Sequence, residues 1–313
     1  MKETRRRPLY SFWTPNYWPI WIFIGLLRLI CMLPHRTRLA VGFALGRLGH
    51  RLVASRRAIT RRNIELCFPE YSVEQRDALA LAHFEALGAS AIEMGLGRWG
   101  SDKEVVSLVQ FDGIENLQKP LGDGIGVILL SAHFTPLEVT GRALGTHMPL
   151  LAGVYRKHRN PLFTEFLRGS REKMASHTIE KTDTKTMVRC LRQGLPVWFA
   201  PDQSYSGKQS ALVPFFGVPS MTNTATSTLG RLGKAVAVPY FPRRLKDGSY
   251  KVTVLPAIDG FPSGDPSVDA EKYHSILEEQ IRACPEQYYW IHKKFKNRPA
   301  PLPDVYADLD SLK

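Results

Sequence analysis

Two ionisable side chains stand close together in the stretch "GVILLSAHFTPLE", which runs from Gly126 to Glu138. The apolar run 127–130 predicts a short buried strand, and His133 follows it almost at once. Glu138 comes five residues after His133. On one continuous helix these side chains would be rotated by about 140° from each other, so they can meet only if the histidine precedes the helix.

The residues after His133 predict the start of a helix. Thr135, Pro136 and Glu138 match the N-cap, first and third positions of a capping box. Glu138 is therefore either a cap that accepts a hydrogen bond from the Thr135 amide or a partner of His133. A carboxylate that accepts a hydrogen bond from one ring nitrogen of a histidine fixes its tautomer and stabilises the imidazolium, which makes the other nitrogen a general base.

Alternating strand and helix patterns from residue 127 onward predict an α/β sheet with helices on its faces. Such a fold places His133 at the carboxyl end of a strand, where the ligand sites of α/β sheets open. The tail 301–313 has no packing pattern, and we expect it to be flexible. The predicted strands are 127–130, 150–155, 197–200 and 235–241, with 250–255 as a half-exposed edge strand, and predicted helices include 39–52, 270–284 and one or two after the N-cap Ser72.

The first 38 residues are typical of a membrane anchor. A basic cluster at 5–7 precedes five aromatic residues between 12 and 21, and the run 20–33 is apolar except for Arg28. The run is short for a span, which needs about 20 apolar residues, and an arginine near its middle is unfavourable in hydrocarbon. We therefore favour a retained helix that lies in the membrane interface over a signal peptide or a single crossing.

Composition narrows the class of protein. The chain has 313 residues, of which 44% are hydrophobic and 23% charged, which excludes general disorder. A net charge of +13 favours anionic partners. The four cysteines are far apart, as in free thiols of a reducing compartment. His83 lies inside an apolar helical pattern, so we interpret it as a core residue.

Six segments of the chain, taken in order, resemble the bacterial lipid A late acyltransferases of the lauroyl and myristoyl transferase type. These enzymes are a branch of the glycerolipid acyltransferase superfamily, whose first motif is a histidine followed five residues later by an acidic residue. The resemblance runs from the anchor to about Pro299. The segments are "NIELCFPEYSVEQR", "SAHFTPLE", "VYRKHRNP", "PVWFAPDQSYSGKQSALVPFFG", "AVPYFPRR" and "EQYYWIHKKFKNRP".

This resemblance implies a mixed, largely parallel central sheet flanked by helices, in an acyltransferase domain at 39–300. It implies transfer of a fatty acyl chain from acyl carrier protein to a hydroxyl of an acyl chain on a lipid A precursor. It further implies an enzyme at the inner membrane of a bacterium, with its catalytic domain on the cytoplasmic face, in contact with membrane lipids. No cofactor, no metal and no nucleic acid is expected.

The resemblance also implies roles for residues. His133 would be the general base, and Glu138 its orienting carboxylate. Arg171 would stabilise the thioester oxyanion or position the two substrates. Asp202 and Gln203 match a "PDQ" motif on the loop after the third predicted strand, and we expect them to organise the site without reacting. Without the resemblance, Asp202 can also be interpreted as an ordinary turn residue after Pro201.

A "YRxxxNP" motif would shape the mouth of the site. Tyr155, Arg156 and Asn160 match it, and with Arg159 they are the predicted substrate-binding residues, Arg156 contacting a phosphate of the acceptor. Without the resemblance, Arg156, Lys157 and Arg159 are equally well interpreted as a solvated charge run.

Three other functions remain open. An acyltransferase acting on another lipid, such as lysophosphatidate or an ornithine lipid, shares the chemistry and differs in its acceptor. A membrane-associated metal-dependent phosphohydrolase would use His133, Glu138 and Asp202 as ligands, although the chain has no HxH, DxD or HExxH cluster. A basic binder of membranes or nucleic acid would have no activity on an acyl thioester.

Overall fold

The structure is a computed structural model that describes residues 7–148, 151–155 and 159–312. The helices are α1 (Trp18–Ile30), α2 (His35–Leu52), α3 (Ala54–Cys67), α4 (Val73–Trp99), α5 (Asp102–Leu108), α6 (Glu115–Gly122), α7 (Leu137–His147), α8 (Pro161–Arg171), α9 (Thr184–Arg192), α10 (Ala225–Gly233) and α11 (Pro266–Ala283). The strands are β1 (Val109–Asp112), β2 (Val127–Leu130), β3 (Ala152–Tyr155), β4 (His177–Glu180), β5 (Pro196–Phe199), β6 (Ser210–Phe215), β7 (Val218–Asn223), β8 (Val236–Arg244) and β9 (Tyr250–Val254).

Seven of these strands form one mixed sheet, in the order β1-β9-β8-β2-β5-β3-β4. β8, β2, β5, β3 and β4 are parallel to one another, while β9 is antiparallel to β8 and parallel to β1. β6 and β7 form a separate antiparallel hairpin. The predicted mixed, largely parallel sheet is thus confirmed.

The central strand β2 shows how the sheet is covered on both faces. All four of its residues are buried. Ile128 and Leu130 pack with α9, α10 and α11 in one cluster, whereas Val127 and Leu129 pack with α5, α6 and α7 in another. Because successive side chains of a strand point to opposite faces, a continuous apolar run fits only a strand with helices on both sides.

The long helix α4 joins the N-terminal helices to the sheet. Ser72 caps it, accepting a hydrogen bond from the Gln75 amide, and the Gln75 side chain accepts one from the Ser72 amide, as in a capping box. In the described part of the chain, α4 alone is long and apolar enough to cross a membrane, but 56% of its apolar window is buried inside the protein. His83 on this helix is fully buried, which confirms its interpretation as a core residue.

Helix α1 packs on the body of the protein along one face. Ile24 and Leu27 are buried against Ile92 of α4 and Phe166 of α8. With 13 residues, α1 is shorter than a membrane span requires. The predicted membrane anchor ended at residue 38, which lies inside α2. No linker therefore separates the anchor from the rest of the chain at that point.

The position of β9 in the sheet and the separate hairpin β6–β7 differ from the sequence prediction. The segment 250–255 was expected to be an edge strand, but β9 lies between β1 and β8, because the unpredicted strand β1 covers its outer side. The hairpin β6–β7 was also missed. Its turn places Phe216 and Gly217 at positive φ, and a phenylalanine in that conformation is not a turn signal.

The C-terminal segment also differs from the expected flexible tail. Tyr306 is fully buried, and its hydroxyl donates a hydrogen bond to Asn63 of α3. Asp308 forms an ion pair with Arg62, 2.8 Å between Oδ2 and Nη2. One aromatic residue in a polar, proline-rich stretch has no periodicity, so the local pattern could not reveal this packing.

The crossing of α2 and α4 yields a stability prediction. A Cβ atom on Gly46 would overlap the Phe84 carbonyl of α4, so the helices cross too closely for any side chain there. Gly46→Ala should lower the free energy of unfolding by about 1–3 kcal/mol, the usual effect of overpacking. Gly25→Ala in α1, where nothing lies within 4 Å, should have no effect or stabilise the helix slightly. Thermal unfolding followed by circular dichroism measures both, and equal midpoints would contradict the close crossing.

Candidate active site

His133 lies just beyond the carboxyl end of β2. The Ser131 amide continues the ladder to β5 by donating to the Phe199 carbonyl at 2.9 Å. The buried Tyr273 hydroxyl donates to the Ser131 carbonyl at 2.7 Å. These bonds fix the backbone that carries the imidazole, whose side chain is 35% exposed and therefore accessible to a substrate.

Asp202 meets His133 because of strand register. Leu130 pairs with Phe199 in the parallel β2–β5 ladder, so the residues three positions beyond each strand end lie side by side. One carboxylate oxygen of Asp202 is 2.7 Å from Nδ1 of His133, and the other accepts a hydrogen bond from the His133 amide at 3.1 Å. The carboxylate therefore holds both the ring and the backbone of the histidine.

The electrostatics of this pair favour a basic histidine. Burial lowers the pKa of His133, but the charge and hydrogen bond of Asp202 outweigh it, so the net pKa is raised above its ordinary value. Burial raises the pKa of Asp202, and the interactions with His133 reverse this, so the net pKa of Asp202 is lowered. Asp202 is 1% exposed and ionised at neutral pH. Nδ1 is held by the carboxylate, and Nε2 makes no hydrogen bond to the described residues.

Glu138 does not make the hydrogen bond to His133 that the sequence predicted. Asp202 occupies that position. The capping box is absent as well, because the Thr135 amide donates to the Gln287 carbonyl at 2.9 Å and the α7 N-cap is Pro136, which has no side-chain bond. The Glu138 side chain therefore does not cap α7.

Glu138 instead pairs with Arg171. Its Oε1 is 3.4 Å from Nη2 of Arg171, the last residue of α8, and both side chains are mostly buried. The other oxygen, Oε2, is buried without a described hydrogen-bond partner. The positive charge of Arg171 also lowers the pKa of His133. The structure thus brings His133, Glu138, Arg171 and Asp202 together as two neighbouring pairs.

Two aromatic rings lie against the imidazole. The Trp198 ring of β5 is 6.5 Å from it, and the Tyr289 ring is 6.1 Å away, measured between ring centroids. Neither residue was singled out in the sequence. Trp198 lies on β5, and Asp202 follows three residues after the end of that strand, so the register that brings Asp202 to the site also brings Trp198 near it.

Buried hydrogen bonds hold the segment after His133 in place. The side chain of Gln287 exchanges two hydrogen bonds with the main chain of Arg244, at 2.6 and 3.0 Å, while its carbonyl accepts from Thr135. The Ser90 hydroxyl of α4 donates to the Thr135 carbonyl at 2.7 Å. No sequence motif marks these positions, because they act through the main chain.

The structure describes the predicted substrate-binding residues only in part. Asn160 caps α8, its side chain accepting from the Phe163 amide at 3.1 Å. Arg159 is exposed and Gln203 is half-buried beside Asp202. Arg156 lies outside the described residues, and of Tyr155 only the backbone, the end of β3, is described. Their substrate-binding roles stay predictions.

The described residues include no group of three or more histidine, cysteine or acidic side chains arranged for a metal ion. His133 and Asp202 contact each other directly, and Glu138 is engaged with Arg171. The ligand set of the phosphohydrolase hypothesis therefore does not converge.

Comparisons with known proteins cover almost the whole chain. The family model described as bacterial lipid A biosynthesis acyltransferase matches residues 8–297. The chain is 34% identical to the lipid A biosynthesis lauroyltransferase of Escherichia coli K12, over 93% of this chain and 96% of that protein. It is 33% identical to the palmitoleoyltransferase of the same organism, over 95% and 97% respectively, and 28% identical to its myristoyltransferase, over 92% and 90%.

The His133–Asp202 pair predicts a measurable titration. His133 should titrate with a pKa above 6.5, and Asp202→Asn should bring the pKa below that value, because burial then acts unopposed. Histidine-selective ¹³C labelling and NMR would measure the His133 pKa in the wild type and in the variant. The buried His83, whose pKa is lowered to about 4, serves as an internal control that the substitution should not move. An unchanged His133 pKa in the folded variant would contradict the pairing.

Proposed function

The chain belongs to the bacterial lipid A biosynthesis acyltransferase family, and we propose that it transfers a fatty acyl chain from acyl carrier protein to a hydroxyl of an acylated lipid A precursor. Family membership makes it an acyltransferase. The observation that carries the finer proposal is the His133–Asp202 pair, which leaves Nε2 of an accessible imidazole open at the carboxyl edge of the sheet.

In the proposed reaction both substrates bind before chemistry. Nε2 of His133 takes the proton of the acceptor hydroxyl as its oxygen attacks the thioester carbonyl. The resulting tetrahedral oxyanion collapses, the carbon–sulfur bond breaks, and the leaving thiolate of the carrier protein takes the proton from Nε2. Asp202 stabilises the transient imidazolium because it is a buried, ionised carboxylate in contact with Nδ1.

Arg171 is the proposed oxyanion partner. It ends α8 within electrostatic range of His133, and its only described ion pair is the one with Glu138. At 3.4 Å this pair is looser than the His133–Asp202 contact. A guanidinium with several donors can keep Glu138 on one of them while another binds the oxyanion. We assign to Glu138 the positioning of Arg171, in place of the orientation of His133.

Membrane lipids are proposed partners of α1. Opposite its buried face, Ile22, Leu26 and Leu29 are 62%, 55% and 62% exposed, and Trp13 and Trp18 are exposed at the N-terminal end. A helix that is apolar on both faces, with tryptophans at one end, is suited to lie between the protein and the membrane interface. This exposed face of α1 supports a location at a membrane, and the family resemblance adds the proposal that this is the inner membrane, with the catalytic domain on the cytoplasmic side, where acyl carrier protein would bind.

Single-turnover acyl transfer tests the proposal. Lauroyl, myristoyl, palmitoyl and palmitoleoyl carrier proteins are offered with a tetra-acylated lipid A precursor that bears its inner-core sugars. The wild type should transfer at least one chain, and His133→Ala should lose about a hundredfold or more of the rate, as expected for a general base. His147→Ala, at the far end of α7, is the matched control and should keep the wild-type rate.

Each negative outcome has a distinct meaning. Failure of the wild type with every donor would overturn the lipid A precursor as acceptor, and lysophosphatidate and ornithine lipid acceptors would be screened next. A fully active His133→Ala variant would overturn the general-base mechanism while leaving the acceptor assignment intact.

Substitutions of Asp202 and of Glu138 should have different effects on the pH dependence of the rate. Activity requires neutral His133, so the rate falls as the pH falls through the raised pKa of that residue. Asp202→Asn should move this acid limb to lower pH, because the pKa of His133 falls. Glu138→Gln should move the limb less than Asp202→Asn does, because Glu138 contacts Arg171 and not His133, and it should lower the rate at all pH values. Arg171→Gln should lower the rate by about 10²-fold. A limb displaced by Glu138→Gln as far as by Asp202→Asn would restore Glu138 as the partner of His133.

A further inference from the structure

A buried lysine next to the site has no place in the mechanism above. Lys294 is 2% exposed. Its ammonium donates a hydrogen bond to the main-chain carbonyl of Asp202 at 2.7 Å and lies 4.5 Å from the centroid of the Phe215 ring. Among the described residues, no carboxylate comes within ion-pair distance of this ammonium.

Burial of an ammonium group with one hydrogen bond is unfavourable. Removal from water lowers the pKa of Lys294 to about 8. A leucine or methionine would fill the same volume without this penalty. Packing alone therefore does not explain a lysine at this position. Its ammonium contacts the Phe215 ring and the carbonyl of Asp202, the residue that orients His133.

The loop that carries Asp202 is tied twice to the segment that carries Lys294. The first tie is the hydrogen bond from the Lys294 ammonium to the Asp202 carbonyl. The second runs from the Ser204 hydroxyl to the Lys296 carbonyl at 3.0 Å. That segment is itself anchored, because the Asn63 side chain donates to the His292 carbonyl at 2.7 Å.

We propose that Lys294 is a positioning residue for the reaction: its ammonium holds the backbone of Asp202 so that the carboxylate meets His133, and its charge keeps that buried carboxylate ionised. Asp202 is then held from both ends. The Lys294 ammonium donates a hydrogen bond to the carbonyl of Asp202. The two carboxylate oxygens of Asp202 contact the amide and Nδ1 of His133. The inference rests on the proposed function only in assigning catalysis to the His133–Asp202 pair.

The other titratable groups around Lys294 are identifiable. Glu278 and His274 approach from α11, Cys67 from α3, and His292 from the same segment. Burial raises the pKa of Glu278 and of Cys67 and lowers those of His274 and His292, to about 3 and about 4. Asp202 is the largest favourable charge acting on the lysine.

Lys294→Met tests the proposal, since methionine matches the stem of lysine without the ammonium. The pKa of His133, read by NMR without substrate, should fall, because the carboxylate is no longer held on Nδ1. The turnover rate should drop about 10- to 100-fold with little change in the Michaelis constant for the acyl donor. Lys293→Met, the neighbouring lysine whose ammonium lies over the Tyr306 ring, is the matched control and should leave the His133 pKa unchanged.

Lys294→Gln separates the two parts of the role, because the amide can still donate to the Asp202 carbonyl but carries no charge. It should keep more activity than Lys294→Met. The wild-type rate should decline above about pH 8 as the ammonium loses its proton, and both variants should lack this alkaline limb. A folded Lys294→Met with a normal His133 pKa would reduce Lys294 to a packing residue. If that variant does not fold, Lys294→Gln decides: a wild-type rate together with an unchanged His133 pKa in this variant overturns the proposal.

The two proposals fail in distinguishable ways. The His133 pKa is measured without acyl donor or acceptor, so it reports on Lys294 even if no lipid substrate is turned over. Absent transfer with a displaced His133 pKa in Lys294→Met would overturn the acceptor assignment alone. Normal transfer with an undisturbed pKa would overturn the role of Lys294 alone.

Discussion

The parallel pairing of β2 with β5 is the constraint on which the site depends. Both strands are four residues long, and their paired ends, Leu130 and Phe199, set the same offset of three residues to His133 and to Asp202. A shift of one residue in this register would turn one of the two side chains to the opposite face of the sheet. Burial of β2 on both faces fixes the register, because each of its side chains must enter a specific core cluster.

Surrounding elements hold the two strand ends in this arrangement through buried main-chain hydrogen bonds. Tyr273 holds the carbonyl of Ser131, and Gln287 holds the amide of Thr135. Lys294 holds the carbonyl of Asp202. Each of these bonds satisfies a polar group that burial would otherwise leave unpaired, so stability and positioning have the same origin. A site fixed in this way has little left to reorganise when charge develops on the imidazole.

What the sequence could predict depended on how local each feature is. The strand at 127–130, the N-cap at Ser72 and the core histidine His83 follow from a few neighbouring residues, and the structure agrees with them. The partner of His133 required the strand order. The predicted strand 197–200 also ended one residue beyond the observed end of β5 at Phe199, so the equal offsets of His133 and Asp202 could not be seen without the register.

Other features were out of reach for the same reason. The interior position of β9 depends on β1, which lies more than 130 residues earlier in the chain and has only four residues. The packing of Tyr306 depends on Asn63 and Phe295, neither of which lies in its own segment. Long-range pairing, and not local propensity, decides these elements, so windows of sequence cannot reveal them.

On the proposed mechanism, the two carboxylates have different roles. Arg171 lowers the pKa of His133, which would weaken it as a base, and Asp202 more than compensates. Glu138 offsets the charge of Arg171 directly, by a contact looser than that of Asp202 with His133. In the proposed reaction, the guanidinium keeps Glu138 on one of its donors while another binds the oxyanion as negative charge develops. The five-residue spacing between His133 and Glu138 thus reflects the geometry of the first turn of α7, which faces α8 and Arg171.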